Sequence, residues 1–230
     1  MTLLDTVAVV TGASEGIGRA TAAALVAAGA TVHGFARSEG PLGETARALG
    51  ARFVPVVCDV TDGAAVRAAI DAAAERYGRL DVLVNNAGVG RFGPVDEVTD
   101  ADWDLLVSTN LSGVFYATRA AVPHMKAAGR GHVVNVASVA GLIGNAGLSV
   151  YNATKFGLRG FSDATMKELR PSGIRVTCVY PGSVATDFGD APARATAIPP
   201  EAVAATILHC VEAPASTLIS EVVMRPMNVG

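Results

Sequence analysis

The sequence predicts an α/β fold: a doubly wound parallel sheet of seven strands, flanked by helices on both faces. Three observations predict it. Half of the 230 residues are apolar and only 17% are charged, as expected of a parallel sheet covered on both sides. Short β-branched runs alternate with alanine-rich helical patterns from one end of the chain to the other, the mark of repeated βαβ units. A glycine-rich stretch lies where the first such run meets the first helical pattern. No linker interrupts the chain, so residues 1–230 are expected to form a single domain.

Taken in order, "TVAVV" predicts a strand over 6–10, and the pattern that opens at Gly16 predicts a helix over 16–28, stopped by Gly29. "TVHGF" gives a second strand at 31–35, followed by a helix over 41–49. "RFVPVV" at 52–57 and "VLVN" at 82–85 enclose a helix over 63–77. A long helical pattern over 101–127 precedes the strand "HVVNV" at 132–136, and a helix over 150–169 precedes "RVTCV" at 175–179. A helix over 199–211 and the strand "EVVM" at 221–224 complete the pattern. Right-handed crossovers then impose the doubly wound topology. "DFGDAPARATAIPP", 187–200, is rich in Pro, Ala and small polar residues and is expected to be a mobile, substrate-facing loop.

Composition excludes several classes of function. A net charge of -3 without a Lys/Arg cluster gives no attraction to nucleic acid or to an anionic membrane surface. The longest uncharged stretch, 20–36, is broken by Gly29 and falls short of the roughly 20 apolar residues of a membrane span. No basic region precedes the first apolar run and no cleavage site follows it, so no secretory signal is expected, and a cytoplasmic location is. Cys58, Cys178 and Cys210 are odd in number, widely spaced and set among apolar residues, which favours buried reduced thiols over disulfides. The four histidines form no i, i+4 pair, and no metal site is expected.

In "VAVVTGASEGIGRA", Gly12 permits a tight turn, Gly16 lets backbone approach a pyrophosphate, and Gly18 lets helix pack on strand, while the helix N-terminus faces the anion. Alone such a loop is equally an ordinary strand-to-helix turn. Its place at the head of a βαβ unit favours dinucleotide binding. In "SVYNATKFG", Tyr151 and Lys155 are four residues apart and share one helix face. Hydride transfer between a carbonyl and an alcohol needs one group that gives and takes a proton near neutral pH, and a free phenol, with pKa about 10, is a poor match. An ammonium about 4 Å from the phenol oxygen would favour phenolate by about 4 kcal/mol at an effective dielectric near 20, or roughly three pKa units. Tyr151 is therefore expected near neutrality. A tyrosine and a lysine snorkelling on an amphipathic helix would give the same spacing.

The TGxxxGxG spacing, followed in order by "CDVTD", "NNAG", "STNLSG", "NVASVAG", "YNATK" and "PGSVAT", resembles the short-chain dehydrogenase/reductase family over nearly the whole chain. The resemblance implies a Rossmann-like fold and an NAD(P)-dependent oxidoreductase with Asn110, Ser138, Tyr151 and Lys155 as catalytic residues. Tyr151 would be the general acid/base. Lys155 would hold the nicotinamide ribose and lower the tyrosine pKa, and Ser138 would hydrogen-bond the reacting oxygen. The Asn110 carbonyl would hold a water that continues the proton relay. The implied cofactor-binding set is Gly12, Ser14, Gly16, Ile17 and Gly18 at the phosphates, and Asp59 and Val60 at the adenine. Asn86, Ala87 and Gly88 would lie at the adenosine ribose, and Pro181, Gly182, Val184 and Thr186 at the nicotinamide end.

A carboxylate ending the second strand selects NAD, whereas an arginine there accommodates a 2'-phosphate. "HGFARSEG" has Ala36 and then Arg37, so Arg37 and Ser38 are expected to grip the phosphate of NADP(H). Glu15, where related NADP users carry a basic residue, leaves NAD(H) possible. Val139, Ala140, Asn145, Arg91, Phe92 and Phe188 are expected to wall a small or open pocket for a compact carbonyl or alcohol substrate. Family members are commonly dimers or tetramers, so a homodimer or homotetramer built on the helices over 101–127 and 150–169 is expected. The rival reading is a catalytically silent, nucleotide-binding, redox-sensing module, which would not need all four catalytic residues. A serine hydrolase would need a GxSxG elbow around Ser138, and "NVASVAG" has none. An epimerase or dehydratase of the related extended fold would need a longer chain.

Overall fold

The computed structural model describes residues 3–186, 188–189 and 196–227. Seven strands, β1 (Val7–Thr11), β2 (Thr31–Ala36), β3 (Phe53–Val57), β4 (Val82–Asn85), β5 (Gly131–Val136), β6 (Ile174–Pro181) and β7 (Glu221–Met224), form one sheet in the order β3-β2-β1-β4-β5-β6-β7. Every neighbouring pair is parallel. The order reverses between β1 and β4, which opens a crevice beyond their carboxyl ends. The intervening helices are α1 (Gly16–Ala27), α2 (Glu39–Leu49), α3 (Gly63–Tyr77), α4 (Asp100–Val107), α5 (Gly113–Ala128), α6 (Ser149–Leu169) and α7 (Pro200–Glu212).

Alternation along the strands sorts the core into two layers. Ala8 and Val10 of β1 pack with Leu25 of α1, Leu42 of α2 and Ile207 of α7. Val7 and Val9 face the other way, onto Ile70 of α3, Ala117 and Met125 of α5 and Leu169 of α6. Alanines and glycines let these helices lie close, so fully buried strands such as β1 read as continuous apolar runs. The three cysteines are buried and unpaired. Among the described residues no helix is long and apolar enough to cross a membrane.

The seven strands follow the sequence expectation within two residues at each end, and one helix departs from it. The pattern over 101–127 is two helices, α4 and α5, joined by a π-helical turn at Ser108–Ser112, where the Gly113 amide donates to the Ser108 carbonyl. The widened turn carries Asn110, and such turns concentrate where a helix must re-aim a functional residue. Periodicity could not reveal it, because the hydrophobic pattern runs through it unbroken.

A polar ladder crosses the buried layer beside this turn. Asn85 Nδ2 donates to Thr118 Oγ1 (3.1 Å) and to Asn135 Oδ1 (2.8 Å), and Asn135 Nδ2 donates to Ser162 Oγ (2.9 Å). The ladder joins β4 and β5 to α5 and α6, the two helices on which the site is mounted.

His132, at the start of β5, is buried, and its Nε2 lies 2.7 Å from Thr177 Oγ1. That hydroxyl gives its only hydrogen to the Ile219 carbonyl (2.6 Å), so Nε2 must be the protonated nitrogen. Nδ1 has no partner among the described residues. Burial and, second, the Arg175 charge push the His132 pKa down to about 3. The unfolded chain takes up this proton near pH 6.5, so between about 3 and 6.5 it binds more protons than the folded state, and stability falls with falling pH. In urea unfolding, His132 should contribute a loss of about 1.4 kcal/mol per pH unit below 6.5, absent in His132→Gln. Equal pH slopes in the two proteins would contradict this.

Candidate active site

The carboxyl ends of the strands open into one cleft of about 1760 Å³, larger than the few hundred to 1,000 Å³ of an ordinary small-ligand pocket and suited to an extended ligand plus a second molecule. Its floor is built where β1 meets β4. Thr11 Oγ1 accepts from the amides of Asn86 and Ala87, both at 3.0 Å, and Asn86 Nδ2 donates back to the carbonyls of Thr11 (3.0 Å) and Gly12 (3.2 Å). The loop after β4 is thereby bound to the turn after β1. Gly12 has φ +66°, and a Cβ there would come within 2.9 Å of the Ala87 Cα. A Cβ on Gly18 would collide with the Gly12 carbonyl and Asn86 Nδ2, so α1 can begin directly under the turn only with glycine here. Ser14, Gly16 and Ile17 line the cleft where α1 begins. The cradle has the shape and the open helix N-terminus that the pyrophosphate of a dinucleotide requires.

At the outer end, Arg37 and Ser38 follow β2, exposed and lining the cleft, and Ala36 closes the strand with no carboxylate. Glu15 is also exposed and lines the cleft. Asp59 Oδ1 accepts from the amide and the hydroxyl of Thr61, both at 2.9 Å, a turn that fixes the half-buried carboxylate beside the buried Val60 at the cleft wall. At the inner end, Pro181 ends β6, Gly182 donates its amide to the Met224 carbonyl (2.8 Å), and Val184 pairs with Ile198. Thr186 follows, also lining the cleft. Of the segment over 187–200, residues 187 and 190–195 lie outside the described residues.

Tyr151 and Lys155, on the first turns of α6, are both buried. Lys155 Nζ donates to the Val136 carbonyl (3.2 Å) and sits 5.6 Å from the centre of the Tyr151 ring. Ser138, just after β5, lines the cleft next to them, its Oγ accepting from the Ala140 amide (3.1 Å) while it caps the short turn Val139–Gly141. Capping and facing the reacting centre are thus compatible. Asn110 is fully buried behind the cleft: its Oδ1 accepts from Val89 N (2.8 Å) and its Nδ2 donates to Val89 O (2.9 Å) and Thr154 Oγ1 (3.3 Å). It pins the loop after Gly88 to α6.

The expectation of a Tyr151 near neutrality is corrected by its surroundings. Burial pushes its pKa up to about 12, with a hydrogen bond to Ser138 acting the other way. Burial likewise brings Lys155 down to about 8. The lysine is engaged by a carbonyl and lies 5.6 Å from the centre of the ring, and both groups are buried, so the cost of charging the phenol away from water dominates.

Each of the six expected wall residues lines the cleft. Phe92 stands edge-on to Tyr151 at 5.6 Å between ring centres, and Phe188 is tilted against it at 5.9 Å. Arg91 is engaged with the Gly90 carbonyl (3.1 Å) and with Asp102 of α4 (3.7 Å), rather than standing ready for an anion. Two polar residues that sequence reasoning did not single out hold the site together, Thr11 and Asn152. The second was visible only as the unremarked letter after the tyrosine in "YNATK".

Comparison with known proteins agrees with this geometry. The short chain dehydrogenase family model matches residues 6–195. A 3-alpha-(or 20-beta)-hydroxysteroid dehydrogenase of Mycobacterium bovis is 41% identical over 190 residues, covering 82% of this chain and 72% of that protein. A 3-oxoacyl-acyl-carrier-protein reductase of Salmonella typhimurium is 40% identical over 182 residues, covering 79% of this chain and 75% of that one. A metagenomic short-chain oxidoreductase solved in complex with NADP superposes with a TM-score of 0.89 at 37% identity, each chain covered in full.

Thr11→Val keeps volume but leaves two amides without an acceptor. It should destabilise the protein by about 2–6 kcal/mol in urea unfolding, at about 1–3 kcal/mol for each orphaned group. A loss under about 0.5 kcal/mol would mean that the strand pairing alone holds the two loops.

Proposed function

We propose that this chain, which belongs to the short-chain dehydrogenase/reductase family of NAD(P)-dependent oxidoreductases, prefers NADP(H) and interconverts a compact carbonyl and its alcohol, with Tyr151 as general acid/base. The observation that carries the reading is the convergence of Ser138, Tyr151 and Lys155 in one cleft, with Asn110 fastened behind them. A dinucleotide held in the cleft would supply or accept the hydride.

The protein's own part is proton transfer and orientation. Tyr151 Oη gives its proton to the substrate oxygen in reduction and takes it back in oxidation. Ser138 Oγ accepts from Ala140, which leaves its hydrogen to be donated towards the same oxygen. Lys155, held by the Val136 carbonyl, places positive charge against the phenol ring and would have its remaining hydrogens free to donate to the ribose of a bound dinucleotide. With its pKa raised by burial, Tyr151 is protonated near neutral pH, the state in which it can give a proton to a carbonyl oxygen. Gly12, Ser14, Gly16, Ile17 and Gly18 would hold the phosphates, Asp59, Val60, Asn86, Ala87 and Gly88 the adenosine, and Pro181, Gly182, Val184 and Thr186 the nicotinamide end. Arg37 and Ser38 support NADP(H): an exposed guanidinium at the end of β2 can grip a 2'-phosphate by charge-assisted hydrogen bonds.

Phe92 and Phe188 stand against the Tyr151 ring, which favours compact or planar carbonyls over bulky ones. A homodimer or homotetramer is supported by Phe115 on α5 and Phe156 on α6, large apolar side chains 41% and 42% exposed.

Two outcomes test this reading. Tyr151→Phe should lower turnover by about 10²–10⁴-fold while NADPH affinity is retained, as read by oxidation of NADPH with small aldehydes and ketones and by fluorescence of bound NADPH. Turnover unchanged in that variant would remove Tyr151 from the chemistry. Arg37→Ala should raise the KM for NADPH by about 10- to 100-fold and leave that for NADH nearly unchanged. Equal effects on both would remove the NADP preference.

A further inference from the structure

We propose that Asn152 is a positioning residue that aims the Ser138 hydroxyl at Tyr151. The inference rests on the dehydrogenase reading of the site. Ser138 leaves β5 and the chain then runs to Leu148 with only one short helical turn, Val139–Gly141, before α6 begins. A segment of that kind has few hydrogen bonds of its own with which to hold a serine in place. Asn152, buried and directly after Tyr151 on α6, supplies them. Its Nδ2 donates to the carbonyls of Ala140 and Ile143 (2.9 Å to the latter), and its Oδ1 accepts from the Asn145 amide (3.1 Å). Both of its amide hydrogens and its oxygen are spent on one loop.

The link to chemistry passes through Ala140. Its carbonyl takes a hydrogen from Asn152, and its amide gives one to Ser138 Oγ (3.1 Å). That amide occupies an acceptor position on Oγ, which turns the serine's own hydrogen outward. Ser138 and Tyr151 line the same cleft, close enough for the serine to draw the Tyr151 pKa down against the effect of burial. The loop has a second seat at Gly141, where a Cβ would come within 2.7 Å of the Lys155 carbonyl oxygen. The loop bearing Ser138 and the helix bearing Tyr151 and Lys155 are therefore registered to each other by one side chain and one close backbone contact. An alanine at 152 would leave the buried Ala140 carbonyl without this partner and remove one hydrogen bond each from the partly buried Ile143 carbonyl and Asn145 amide, and the loop would be free to trade its geometry for solvation. Displacing a reacting group by about 1 Å costs on the order of 10²-fold in rate.

The test is a double-mutant cycle on the full-length protein, with Asn152→Ala, Ser138→Ala and the pair. Asn152→Ala should lower kcat by about 10- to 100-fold while the Kd for NADPH, read from its fluorescence, changes by less than about two-fold. Added to Ser138→Ala it should cost nothing further, because it acts through that serine. Hydrogen exchange should rise over 138–148 and stay unchanged over 11–18. Asn152→Asp keeps the volume and the acceptor for the Asn145 amide but loses the donors, and should behave like the alanine variant if that one does not fold. Additive losses in the cycle, or unchanged exchange over 138–148, overturn the proposal. Failure of both variants to bind NADPH assigns Asn152 to holding the whole fold and also overturns it. If the unaltered protein turns over nothing while exchange responds as expected, the dehydrogenase reading fails and the anchoring stands.

Discussion

At the seam between β1 and β4, a single hydroxyl, Thr11 Oγ1, accepts from two consecutive amides of the neighbouring strand's loop, and Asn86 returns two hydrogen bonds to the turn it faces. The other end of the seam is fastened as well, since Asp81 accepts from the Val7 amide (2.9 Å) and is gripped by Arg79 at 2.7 and 2.6 Å. This is the point where the strand order reverses, so the helices on either side diverge and leave the crevice open. The cleft depends on the seam staying shut beneath it. Gly12 and Gly18 are demanded by the same constraint, because any side chain there would wedge the loops apart.

Dryness is the second governing feature. Tyr151, Lys155 and Asn110 are buried, and the last two are held by protein groups whose placement traces back to neighbouring elements: the β5 carbonyl of Val136 for Lys155, the loop amide of Val89 and the hydroxyl of Thr154 for Asn110. Desolvation raises the phenol and lowers the ammonium, which opposes a resting phenolate–ammonium pair. A site of this kind keeps the proton on the tyrosine until a charge or a developing oxyanion arrives beside it, and that is the behaviour required of a proton donor to a carbonyl.

Much of this was legible in the sequence, for physical reasons that differ from element to element. The strands were visible because a parallel sheet buried on both faces needs unbroken β-branched runs, as in "VAVV" and "HVVNV". The glycine loop was visible because its residues are dictated by close approach. Tyr151 and Lys155 were visible because four residues on a helix is a spatial statement as well as a sequence one. The π-turn at Ser108–Ser112 was hidden because it inserts no change into the apolar pattern. The sign of the Tyr151 shift was hidden because it turns on how deeply the pair is buried, which spacing does not encode. Asn152 and Thr11 were hidden because their partners are backbone atoms of other segments, and backbone leaves no letter in a sequence.

Whether this cleft carries out Tyr151-dependent hydride transfer is tested most directly by following the hydride itself. NADPH deuterated at its hydride-donating carbon would be incubated with the protein and a set of small aldehydes and ketones, and the products analysed by mass spectrometry. Deuterium on the carbinol carbon, formed by the unaltered protein and absent with Tyr151→Phe, is the result expected. Retained binding of NADPH with no deuterium in any product would contradict it and favour a cleft that binds the dinucleotide without using it.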